Sequence, residues 1–201
     1  RAYRGAHGEI AARRDEQILQ LCEVEERNRC EIKSTRLKDL MDTYGVTSET
    51  KHHVPEVVWQ GNREIVVAYL QALFTADGTV NASDRKRSIS VRLAQSNIEF
   101  LREIQILLSN MGIVTSVLLR RKAGNKLMPD GKGGRKEYAY QNQYELILQG
   151  SNADRFAHEI GFLMPEKQSK LTEFIVGRTR HPYAQKLKEE IKSIEYVGEE
   201  A

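Results

Sequence analysis

The stretch Ala68-Tyr-Leu-Gln-Ala-Leu-Phe-Thr-Ala-Asp-Gly-Thr-Val80 decides the reading of this chain. Leu70, Leu73 and Phe74 recur at helical spacing. Ala68, Ala72 and Ala76 are four residues apart and share one face. A face of small side chains lets a second helix approach to the low end of the ~8–10 Å interaxial range. Asp77 then falls in the last turn, and Gly78 is read as the residue that stops the helix. A carboxylate at a helix C-terminus meets the negative end of the dipole, at a cost of about 0.3–1 kcal/mol. A bound cation would remove that cost. The bland reading is a buried helix that ends in an Asp-Gly turn.

Leu70 to Gly78, LQALFTADG, resembles the motif of the LAGLIDADG family of homing endonucleases, in the version carried by inteins. The resemblance implies an α+β fold of two αββαββα halves, each with an antiparallel DNA-binding sheet. It also implies that two motif helices pack side by side, each giving one Asp to a shared divalent-metal centre. Asp77 falls on that catalytic acid.

Beyond Gly78 the period changes to that of a strand. Ile89, Val91 and Leu93 alternate with Ser88, Ser90 and Arg92, and Thr79–Asn81 forms the hairpin partner. Ser96-Asn-Ile-Glu99 is an S-x-x-E capping box, opening a helix through Phe100, Leu101, Ile104, Leu107 and Leu108 to Gly112. Ile113–Arg121 and Gln143–Gln149 are expected as paired strands with a long loop between them, and Ser151–Ile160 as a capped helix. The order helix–strand–strand–helix–strand–strand–helix fits one α+β module.

Before the motif, Ser34 opens a helix with the stripe Leu37, Leu40, Met41 and Tyr44, stopped by Gly45. Cys30–Lys33 reads as a short strand, and Ile18, Leu19, Leu21 and Val24 as a short helix or strand. Gly45 is followed six residues later by Lys51, as Gly161 is by Lys167. The match suggests a duplicated module. We therefore expect a partial first half and linker over 1–60, a complete half over 61–180, and a tail over 181–201. Ile191–Glu200 resembles the segment by which inteins return to the splicing domain, which implies that domain as a partner. No first motif is found, and the chain starts at Arg1, as an excised or processed piece would.

Composition agrees with a globular protein: 201 residues, 29% charged and 40% hydrophobic. No apolar run reaches the ~20 residues of a membrane span, and no signal peptide is visible. Cys22 and Cys30 match no zinc spacing and read as reduced thiols of a cytoplasmic protein, with a chance disulfide as the alternative. The five histidines form no metal spacing, and phosphate-loop, nucleotide and Gly-x-Ser-x-Gly signatures are absent.

The net charge of +3 matters less than its distribution. Arg120, Arg121, Lys122, Lys126, Lys132, Arg135 and Lys136 crowd one segment, with Gly124, Gly131, Gly133 and Gly134 to keep it flexible. Arg85, Lys86 and Arg87 add charge at the first hairpin turn. Phosphate contacts of this kind release counterions. Ser90, Arg92, Gln141 and Gln143 are expected on exposed strand faces, where Arg reads guanine and Gln reads adenine in the major groove of double-stranded DNA. A soluble sheet face with a floppy basic loop is the bland reading.

The family resemblance implies further roles. Asp77 and the carbonyl of Ala76 would hold Mg²⁺, or Mn²⁺, both of which favour hard oxygen ligands. Lys167 and Lys51 match the family's active-site lysine, with Lys170 as a competitor for Lys167. Gln95 matches a position that orders water near the metal. The expected activity is double-strand cleavage at a long site. Alternatives are a catalytically incomplete DNA-binding module of the same fold (a decayed endonuclease or a transcriptional regulator) and a protein-interaction domain. The missing second acid would come from upstream or from a homodimer through the Ala68–Ala72–Ala76 face, or the helix has no partner.

Overall fold

The computed structural model describes residues 21–24, 29–32, 34–83, 88–129, 131, 133–178, 193–196 and 198. Strands β1 (Leu21–Val24) and β2 (Arg29–Ile32) pair antiparallel, and helix α1 (Thr35–Thr43) follows. Ser34 caps α1 by accepting from the Leu37 amide at 3.2 Å. A short helix not foreseen in the sequence, α2 (Glu56–Trp59), leads into the motif helix α3 (Arg63–Asp77). Asn62 caps α3 through the Ile65 amide at 3.1 Å. The linker before α2 is tied to the rest by Glu103, which accepts from the Val54 amide at 2.6 Å and bonds His53 Nδ1 at 3.0 Å.

After α3 come β3 (Gly78–Ser83), β4 (Ser88–Gln95), α4 (Ile98–Asn110), β5 (Ser116–Arg121), β6 (Gly124–Pro129), β7 (Arg135–Tyr140), β8 (Gln143–Gln149), α5 (Ser151–Glu159) and α6 (Pro165–Val176). The antiparallel sheet has the order β3-β4-β8-β5. Val80, Val91, Leu93, Leu146 and Leu148 project from one face into a core with Leu70 and Phe74 of α3, Leu101, Ile104 and Leu108 of α4, Phe156 of α5 and Leu171 of α6. Phe74, Phe156 and Phe162 stack in series at centroid distances of 4.9 and 5.3 Å. The αββαββα order expected for the second half is present. Among the described residues, no helix is long and apolar enough to cross a membrane.

Three expectations need correction. The long loop after Arg121 is a separate two-stranded ribbon, β6–β7, with Lys126 opposite Tyr138 and Met128 opposite Lys136. Its two strands pair antiparallel from Gly124–Tyr140 to Pro129–Arg135, and the turn between them has glycine at positive φ, Gly131 (φ 73) and Gly133 (φ 88). The cap of α4 is Asn97, one residue later than Ser96, because its side-chain oxygen reaches both the Glu99 and Phe100 amides at 2.9 and 3.3 Å. The helix α5 has no side-chain cap; Gly150 precedes it at φ 62. Gly78 stops α3 as expected, and it does so in an extended conformation (φ −76, ψ 155). Its glycine is required by crowding, because a Cβ there would lie 2.5 Å from the Phe74 carbonyl oxygen. The helix thus passes straight into β3, which fixes Asp77 between helix and sheet.

Candidate metal centre and nucleic-acid interface

Asp77 sits exposed in the last turn of α3, beside the mouth of the β3–β4 hairpin. Gln95 ends β4, where the antiparallel register brings Leu93 opposite Gly78. Its Nε2 donates to Asp77 Oδ2 at 3.3 Å. Lys167, in the first turn of α6, donates from Nζ to the carbonyls of Thr75 and Gly78, each at 2.7 Å. The ammonium thus neutralises the negative end of the α3 dipole, where terminal carbonyls have no partner inside the helix. Burial lowers the pKa of Lys167 below the ordinary lysine value, and the nearby Asp77 carboxylate opposes that shift. Its Nζ also lies 5.9 Å from the Phe162 ring centroid.

Of the lysines foreseen in the sequence, Lys167 reaches this helix end and Lys170 is exposed on α6. Lys51 is exposed in the turn between α1 and α2, and among the described residues no hydrogen bond or ion pair joins it to Asp77. Ala76 is exposed in the last turn, so its carbonyl belongs to the same helix end. Ala68 and Ala72 are also exposed, with Ile65 in line one turn earlier. The face of small residues therefore lies open.

Two structural partners of the site were not visible in the sequence. Thr75 Oγ1 accepts from the Leu163 amide at 2.8 Å, and Gln71 Nε2 donates to the Ile160 carbonyl at 2.6 Å. These bonds bind the α5–α6 turn to α3 and so aim Lys167. The helix α6 itself has signals that single it out: Pro165 at its first turn and apolar Leu171, Phe174 and Ile175.

The basic surface divides into two parts. Arg121, Lys122, Lys126, Arg135 and Lys136 are exposed on β5 and the ribbon, and Gln141 is exposed in the turn before β8. Arg121 lies 5.6 Å from the Tyr140 ring centroid. Asn142 fastens the base of the ribbon by accepting from the Ala123 amide at 2.7 Å and donating to Tyr144 Oη at 3.2 Å. Gln143 is half-buried at the start of β8. Arg85, Lys86, Arg87 and Lys132 lie outside the described residues.

The expectation that Ser90 is exposed is overturned: it is only 7% exposed. Arg92 covers it, donating from Nε to Ser90 Oγ at 3.0 Å and from Nη1 to Glu145 Oε2 at 3.1 Å. Arg120, exposed at its tip, lies 3.4 Å from the other oxygen of Glu145. Alternation correctly assigns the face, but the covering is done by a long side chain two residues away. Glu145 was missed because an acid in an alternating strand carries no signal of its own.

A family described as LAGLIDADG-like domain matches residues 64–161. The chain is 36% identical over 174 residues to the ribonucleoside-diphosphate reductase NrdEB subunit alpha of Bacillus subtilis (strain 168), covering 83% of this chain and 16% of that protein. It is 31% identical over 125 residues to a DNA polymerase of Thermococcus litoralis, covering 62% and 7% respectively. Among solved structures, mesophilic variants of the homing endonuclease I-DmoI give a TM-score of 0.48 at 16% identity, over 79% of this chain and 68% of that one. Residues 64–161 are therefore a LAGLIDADG-like domain.

Proposed function

We propose that this chain is part of an intein-borne homing endonuclease that makes metal-dependent double-strand breaks at a long DNA site. The observation that carries the reading is the convergence of Asp77, Gln95 and Lys167 on one helix end within the matched segment. An inserted element explains why a reductase subunit and a polymerase, which share no chemistry, both match this chain over a small part of their length. In that reading 1–60 is the tail of a first half with its linker, 61–180 is a complete half, and 181–201 leads back to the splicing domain. The order β1–β2–α1 repeats β5–β8–α5, and both helices are followed by glycine at positive φ, Gly45 (68) and Gly161 (64).

The donors at the helix end fit a hard cation: one carboxylate (Asp77) and the backbone carbonyl of Ala76. Mg²⁺ is commonly held by one or two carboxylates with waters and substrate phosphates. Such an ion would neutralise phosphate oxygens and lower the pKa of bound water. The chain's own residues have narrower tasks. Gln95 orients Asp77 and can hold a water beside it. Lys167 keeps positive charge next to the site, where negative charge grows as the phosphodiester is attacked. The exposed basic ribbon and β5 hold the DNA backbone.

One observation favours a second reading, a DNA-binding module that does not cleave. Among the described residues, no group of three His, Cys, Asp or Glu side chains could hold a metal. The decisive experiment extends the chain with its upstream coding segment and assays a duplex spanning the uninterrupted host junction. We expect Mg²⁺-dependent double-strand cleavage, and at most slow cleavage or nicking by the 201-residue chain alone. Asp77→Asn in the extended protein should abolish cleavage and leave DNA binding in Ca²⁺ intact. Full cleavage by that variant would end the mechanism; full cleavage by the unextended chain would point to a homodimer.

A further inference from the structure

Glu145 is an acid in the wrong place for simple DNA affinity. It lies on the sheet face opposite Leu146 and Leu148, away from the helical core, yet it is only 7% exposed. Two arginines shield it. Arg92 Nη1 donates to Oε2 at 3.1 Å, and Arg120 Nη1 lies 3.4 Å from Oε1. Arg92 is fixed at a second point, because its Nε donates to the buried Ser90 hydroxyl at 3.0 Å.

For holding phosphates this arrangement is unfavourable. A carboxylate amid the basic surface offsets part of the attraction for a polyanion, and phosphate contact does not require a fixed guanidinium. Reading a base edge does. A guanidinium is planar and presents its donors as a rigid fork, so two anchored nitrogens set the direction of the remaining edge. Bidentate recognition of guanine O6 and N7 needs that direction set in advance.

We propose that Glu145 is a specificity-determining positioning residue. It holds Arg92, with Arg120 beside it, to read guanine in the major groove and weakens binding to DNA without guanine at those positions. The inference rests on the DNA-binding reading above.

The test selects bound duplexes from a library with a randomised core, using the whole chain and its Glu145→Ala and Arg92→Lys variants. Affinity for random-sequence duplex is measured in parallel at several salt concentrations. The wild-type chain should enrich guanine at defined positions. Glu145→Ala should lower that preference by roughly tenfold. It should also raise random-duplex affinity and steepen the slope of log affinity against log salt by about one to two, as freed arginines turn to phosphates. Arg92→Lys keeps the charge but loses the fork, so it should lose the same guanine preference even if Glu145→Ala fails to fold. Unchanged guanine preference in either folded variant overturns the inference, and so does a Glu145→Ala protein that folds but binds no duplex. A wild-type chain that binds no duplex overturns the DNA-binding reading as well.

Discussion

Two stretches of this chain share a pattern and differ in fate. Gly45 and Gly161 each follow a helix with positive φ, 68 and 64, and a lysine stands six residues on. At Lys167 the pattern meets the end of α3, and the ammonium takes two carbonyls at 2.7 Å. At Lys51 the side chain is exposed. The preceding helices diverge in the same way. Phe156 and Ala153 of α5 are fully buried, whereas α1 buries no residue and leaves Leu40, Met41 and Tyr44 at 50%, 40% and 49% exposure. A lysine therefore acquires its role from the helix end it meets, not from its spacing to a glycine. An apolar stripe becomes core only where a sheet stands opposite it.

The largest test of that contrast is truncation of one aromatic residue from each stretch. Phe156→Ala should cost about 3–5 kcal/mol of stability through loss of the Phe74–Phe156–Phe162 stack. Tyr44→Ala should stay within about 0.5 kcal/mol in the same urea titration. A large loss at Tyr44 would mean that α1 is packed in solution.

A smaller effect separates the lysines. Lys167→Gln should destabilise by about 1–2 kcal/mol, since the two carbonyls lose a charged donor at the negative end of α3. Lys51→Gln should be nearly neutral in the same measurement. Equal losses would erase the distinction between the two lysines.

The smallest effect is in the pH dependence. Burial lowers the pKa of Lys167 in the folded protein below its unfolded value near 10.5. Between the two values the unfolded chain binds more protons, so this residue's contribution rises with pH. Its destabilising share is fully present below the folded pKa and is relieved as pH climbs toward 10.5. The stability gap between wild type and Lys167→Gln should therefore widen slightly as pH climbs toward 10.5. A gap that narrows would place the ammonium in a better-solvated setting.

Much of the fold was legible because its signals are local. The motif helix declares itself through Leu70, Leu73 and Phe74, and its end through Asp77-Gly78. Strand β4 is written in the alternation of Ile89, Val91 and Leu93, and α4 in its apolar stripe. Even so, two details were settled only in three dimensions: the cap of α4 lies one residue beyond the expected Ser96, at Asn97, and Lys167 rather than Lys170 reaches the helix end. Periodicity and turn chemistry act over a few residues and leave their mark in the sequence. The ribbon β6–β7 escaped because its strands are exposed on every side and so lack a hydrophobic period.

The sequence by itself determined that an acid ends a helix at Asp77 and that basic residues crowd Arg120–Lys136. Only the tertiary structure decided which side chains meet that acid and which basic groups are held in place. Gln95 reaches Asp77 across 18 residues of chain, Glu145 holds Arg92 across 53, and Lys167 reaches Thr75 across 92. Such contacts depend on register and on how helix packs against sheet, and neither spacing nor composition encodes them.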